Sequence, residues 1–220
     1  MLLKRLSKSV VNRYTNNMKS RLQMGSSNLA YTFGSILLAG AVVSGFLTKD
    51  PRWMNWHFSR LGEGGTFSAI IFNVTLLVSA IVMFALGLAL MDSISRIPDT
   101  ANIDINRAKT VISRSFNAVA VCLIVVALFP FDRFPVVHNI FGYSMLFIFL
   151  ALCITMPKIL PIFSRQFYTY SRLVILCAIV CYILFLGMRV ITLLAVESVI
   201  FTSLYVWLIL FINAIRKSYN

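Results

Sequence analysis

Apolar residues in this chain collect into runs of about 20, each bounded by polar or charged residues. A helix of that length crosses the hydrocarbon core of a bilayer. Six such runs can be read, at about residues 28–47, 67–91, 114–129, 138–156, 173–193 and 198–215. The pattern predicts an all-α, polytopic integral membrane protein whose six transmembrane helices form one domain over residues 28–215, followed by a short tail, 216–220. No Gly/Ser-rich or proline-rich linker divides the domain, and no repeat period is visible.

The segments between the runs carry their own signals. Residues 1–27 hold Lys4, Arg5, Lys8, Arg13, Lys19 and Arg21 and no acidic residue, with Leu3, Leu6, Val10, Tyr14, Met18 and Leu22 at helical spacing. This predicts a basic amphipathic helix lying at the membrane interface. It is not a secretory signal, because the basic region is too long and no A-x-A site follows the first apolar run. Gly34, Ala41 and Gly45 give the first run small residues at spacings that let helices approach closely. Trp53 and Trp56 read as interfacial anchors of the first loop. Pro98, Asp99, Asn102 and Asp104 read as turn and cap residues between the second and third runs. Pro157 and Pro161 are expected to end the fourth, and Phe163, Phe167, Tyr168 and Tyr170 interleave with Arg165 and Arg172 as an interfacial belt.

Composition agrees with the pattern. Hydrophobic residues make up 59% of the chain and charged ones only 12%, about half the share in a soluble domain. The net charge of +13 would suggest nucleic acid in a soluble protein, but here its distribution along the chain explains it. With the N-terminus inside, 15 of the 20 basic residues fall in inner segments. Lys49, Arg52, Arg60, Arg133 and Arg189 are left outside. That bias predicts a multi-pass protein of the cell membrane with cytoplasmic N- and C-termini and no nucleic-acid partner.

Both histidines and four of the seven acidic residues fall on the predicted outer side. Two stretches hold most of them, His57–Asn73 (HFSRLGEGGTFSAIIFN) and Phe129–Gly142 (FPFDRFPVVHNIFG). Ser59, Glu63, Asn73, Asp132, His138, Asn139, Arg189 and Glu197 are the candidate residues of an outer-leaflet polar pocket. Ionisable groups at membrane depth turn toward partners or cavities, so Arg189 is expected at the centre, paired with Glu197, Asp132 or Glu63. Asn73 is expected at the pocket base and the 62–65 glycines at a bend. The purely structural alternatives are a snorkelling Arg189, a helix-bonding Asn73 and a plain turn at Asp132.

Enzymatic readings have weaker support. His57, Glu63, Asp132 and His138 supply zinc-type atoms but lack a tight ligand spacing such as H-x-x-x-H. Ser59 or Ser68 with His138 and Asp132 would make a serine triad, yet there is no nucleophile elbow. The four cysteines all lie inside apolar runs and read as buried thiols, so no cofactor is expected.

The motifs S-x-L-G (Ser59–Gly62), F-N (Phe72–Asn73), F-P-x-D (Phe129–Asp132) and H-N-x-x-G (His138–Gly142) resemble an uncharacterised bacterial domain-of-unknown-function family of six-span membrane proteins. They are also similar, in order and spacing, to DRAM-like six-span proteins linked to lipid organisation and autophagy. The resemblance implies the fold and an outward-facing motif cluster, and no reaction. Membrane-embedded ceramidase-like hydrolases use more histidines than the two present here. The expectation is therefore a non-enzymatic protein that binds a membrane lipid or small amphiphile. The alternatives are an embedded hydrolase or transferase, or a structural subunit with a membrane-protein partner.

Overall fold

The computed structural model describes residues 2–55, 57–98 and 104–218, with side chains from residue 25 onward except at 51 and 52. The amphipathic side chains expected before residue 25, the Trp56 anchor, and the turn residues Asp99 and Asn102 lie outside the described residues. The chain forms α1 (Leu2–Leu47), α2 (Phe67–Ile94), α3 (Ile105–Leu128), α4 (Pro135–Ile159), α5 (Arg165–Tyr182) and α6 (Leu193–Lys217). All six contain stretches long and apolar enough to cross a membrane. Two short 3₁₀ turns, Pro51–Asn55 and Phe58–Gly62, fold the α1–α2 connection, and α5 widens into a π turn over Ile183–Gly187.

Several helices outrun the apolar runs that announce them. α3 starts at Ile105 rather than near 114, because the Asp104 carboxylate accepts the Arg107 N–H at 2.9 Å and caps polar turns that precede the hydrocarbon. Ser164 and Thr192 do the same for α5 and α6, accepting from Phe167 N and Ala195 N. Pro157 does not end α4, which continues to Ile159. α1 runs unbroken from Leu2 to Leu47, so the basic segment and the first span are one helix, with no proline between them to interrupt it.

Packing follows the helical period. α2 buries Ala69, Phe72, Leu76, Ala80, Met83, Leu90 and Ile94 at helical spacing, and α3, packed beside it, buries a stripe that includes Ala108, Ile112, Phe116, Val119 and Leu123. Gly87 permits the approach, since a Cβ there would lie 2.8 Å from Phe116 Cβ. α1 is tied to α2 by a buried serine pair. The Ser44 and Ser68 hydroxyls each reach the other's carbonyl at 2.8 Å. In α6, Trp207 is fully buried, stacks on Phe211 with centroids 5.1 Å apart, and donates its indole N–H to Ser171 Oγ at 2.9 Å. The outward faces are apolar too, with Phe46, Ile81, Phe147 and Leu186 exposed. Such a belt would drive association in water and is ordinary against lipid.

Candidate functional site

Alternation of the six helices brings the first, third and fifth loops (48–66, 129–134 and 188–192) to one end of the bundle, opposite the chain termini. At this distal end the His57–Gly65 segment is clasped from several sides. Glu197, in the second turn of α6, accepts the Phe58 N–H at 2.7 Å and so caps the first donor of the 3₁₀ turn. Asp132 of the α3–α4 loop accepts the Gly64 N–H at 3.1 Å. Asn73 of α2 donates its amide to the Gly62 carbonyl at 3.1 Å, packed so closely that a Cβ at Gly62 would come within 2.5 Å of Asn73 Oδ1. Gly64 and Gly65 take φ of 75° and 62°, a left-handed bend that glycine adopts without strain. The F-N, S-x-L-G and F-P-x-D motifs are thus parts of one clasp. His138 closes it, bonded through Nδ1 to the Phe129 carbonyl at 2.9 Å.

The cation at the centre is Arg60, not Arg189. Arg60 reaches Asp50 at 3.1 Å and Glu63 at 3.4 Å, with its side chain only 16% exposed. Arg189 is exposed at the end of α5, with φ 54° and no ion pair among the described residues. The π turn explains the displacement. Met188 N–H bonds Ile183 O and Val190 N–H bonds Leu184 O, so the chain leaves the helix through a left-handed residue whose side chain is exposed. Glu197 and Asp132 are engaged by backbone N–H groups instead. An R-x-x-E spacing, visible as Arg60–Glu63, was the sequence signal for this pair. Asn139 is exposed and stands outside the clasp.

Burial shapes the ionisation of this cluster. His57 is 7% exposed, and desolvation, helped by His138 and Arg60 nearby, lowers its pKa to about 4. Burial raises Glu63; Arg60 opposes that shift, while Asp132 and Asp50 add to it. His57 Nδ1 lies 2.8 Å from Ser59 Oγ, which has the look of a nucleophile and base. The contact spans only two residues of one turn, and a base that titrates near 4 is weak at neutral pH. Its Nε2 is 3.9 Å from Glu63 Oε1, beyond hydrogen-bond range. Neither Ser59 nor Ser68 pairs with His138, since Ser59 bonds His57 and Ser68 bonds Ser44. The Phe131 ring stands between the two imidazoles, with centroids 5.1 Å from His57 and 5.9 Å from His138. Among the described residues no three His, Cys, Asp or Glu side chains gather as a metal site.

Beside the clasp, α4 is only partly buried. From Asn139 to Ala151 no residue of α4 is fully buried, while Phe141, Met145, Leu146, Ile148 and Phe149 are half-buried. These side chains pack against the core, Phe149 edge-on to Phe116 with centroids 6.4 Å apart, yet stay partly accessible. Facing this stretch, α5 buries nothing beyond Cys181 and turns into the π segment. Tyr143 and Tyr182 meet across the α4–α5 seam with centroids 6.4 Å apart, and Tyr182 lies within electrostatic reach of Glu197. The tyrosines were not singled out in the sequence, where tyrosine in a span reads as packing. A separate groove of about 370 Å³ lies between α5 and α6, lined by Tyr170, Ser198, Val199, Thr202, Ser203 and Val206.

Residues 33–214 match the family described as "Protein of unknown function (DUF998)", and the chain belongs to that family. No curated protein and no solved structure matches it.

Proposed function

We propose that this DUF998 member sits in the cell membrane with both termini cytoplasmic and binds a membrane lipid or other small amphiphile at its distal end. The observation that carries the reading is the α4 stretch 141–149, where Phe141, Met145, Leu146, Ile148 and Phe149 stay half-buried beside the Tyr143–Tyr182 contact. Apolar half-buried side chains suit an acyl chain. Two phenols and a carboxylate suit a headgroup bearing hydroxyl or amine donors, because an ionisable group at membrane depth needs a polar partner. Arg189, exposed at the rim, would meet an anionic part of the same headgroup. The clasp of Asp132, Asn73, Glu197 and Arg60 then holds the His57–Gly65 loop as a lid support beside the opening. The orientation rests on the 15 basic residues that fall on the side of the termini.

Photo-crosslinking tests this. A diazirine-bearing lipid incorporated into vesicles with the full-length protein should label α4 near Tyr143 and α5 near Tyr182 above the general lipid-facing surface. Labelling spread evenly over Phe46, Ile81 and Phe84 as well would sink the proposal.

A further inference from the structure

The other end of the bundle carries a second feature. A groove of about 290 Å³ opens between α2 and α3, lined by Met91, Lys109, Thr110, Ser113 and Arg114. Lys109 with Ser113, and Thr110 with Arg114, share i, i+4 positions on one face of α3. α3 is 24 residues long, about 36 Å at 1.5 Å per residue, which exceeds the roughly 30 Å hydrocarbon core. Its polar first turns therefore stand at headgroup depth.

The groove is unbalanced in charge. Among the described residues of the α2–α3 end, Asp92 pairs with Arg96 at 2.5 Å and Asp104 accepts the Arg107 N–H at 2.9 Å. Lys109 and Arg114 have no ion pair among the described residues. Below the groove the surface becomes apolar, with Leu88, Phe84 and Ile81 on α2 and Val121 and Ile124 on α3 exposed at helical spacing. A cationic, hydroxyl-lined cleft above an apolar track has the layout of a phospholipid. Its ammonium and guanidinium suit phosphate oxygens, and the track suits an acyl chain.

We propose that the α2–α3 groove binds the phosphate-bearing headgroup of an anionic phospholipid through Lys109, Arg114 and the Ser113 hydroxyl. The site lies at the opposite end from the proposed amphiphile opening, so either proposal can fail alone.

The test titrates purified full-length protein in neutral detergent with short-chain phosphatidylglycerol and phosphatidylcholine, reading bound lipid by native mass spectrometry. Phosphatidylglycerol should bind in preference, and Lys109→Gln with Arg114→Gln should weaken it about 30-fold, each basic residue near an anionic surface contributing roughly fivefold. Ser113→Leu, which fills the groove and leaves the charge intact, should weaken it too. Arg165→Gln with Arg172→Gln, the same charge loss at the same end, and Arg189→Gln at the distal end should both leave it within about twofold, the scatter expected of a remote charge. Equal loss in the Arg165/Arg172 variant, no preference over phosphatidylcholine, or tight binding in the Ser113 variant would overturn the proposal. Displacement by millimolar inorganic phosphate would also overturn it, by making the ligand a free anion.

Discussion

Replacing Arg60 by glutamine removes the cation that Asp50 and Glu63 share. The Arg60 and Glu63 side chains are 16% and 13% exposed, while Asp50 is 34% exposed. Two unit charges about 4 Å apart attract by about 4 kcal/mol at an effective dielectric of 20. The Asp50 pair is solvent-screened and keeps only about 1 kcal/mol. The Glu63 pair is less accessible, and breaking it strands a carboxylate that burial already disfavours. The net cost of Arg60→Gln should be about 2–4 kcal/mol at neutral pH. For a chain of this size that is a fall in Tm of roughly 5–15 °C. A fluorogenic maleimide suits the assay, because Cys122, Cys153 and Cys181 are buried and react on unfolding. The sign with pH follows from Glu63, whose raised pKa gives a contribution present at low pH and lost as pH rises through the folded value. The Arg60→Gln deficit should therefore shrink on acidification, and Arg60→Gln with Glu63→Gln should recover most of it. A single variant as stable as wild type, or a double variant no better than the single, would refute the reasoning.

Three further outcomes can be checked on the same preparation. His57 has its pKa depressed to about 4, so its contribution is present above about pH 6.5 and lost as pH falls toward 4. That contribution reaches about 3 kcal/mol, and His57→Gln should flatten the loss of Tm between pH 7 and 5 that wild type shows. Gly87→Ala should destabilise by about 1–3 kcal/mol through the Phe116 contact, whereas Gly142→Ala, which meets nothing within 4 Å, should be neutral or slightly stabilising. Arg189→Gly should raise stability by about 1 kcal/mol by relieving its left-handed backbone, measured as a higher Tm; a fall would return Arg189 to the centre of the cluster.

The spans were legible because a bilayer demands about 20 apolar residues per crossing, and the six runs each supply them. Helix ends were less so. Hydropathy sees only the hydrocarbon part, while Asp104, Ser164 and Thr192 cap helices that start several residues earlier. At the distal end, some of the loops singled out in the sequence come into contact. The 62–65 bend, Asn73 and Asp132 do meet. What it could not convey was direction. Arg189 and Arg60 are both cations near the distal end, yet Arg189 follows the π turn and is exposed while Arg60 pairs with Glu63. The Phe131 ring between the histidines is equally invisible without the fold.

The proposed amphiphile site is tested most directly by native mass spectrometry of the full-length protein released from nanodiscs. Wild type should retain an amphiphile, and a variant combining Tyr143→Phe and Tyr182→Phe, which keeps the paired rings but removes both hydroxyls, should lose it. Retention unchanged in that variant, or wild-type protein emerging bare, would contradict it.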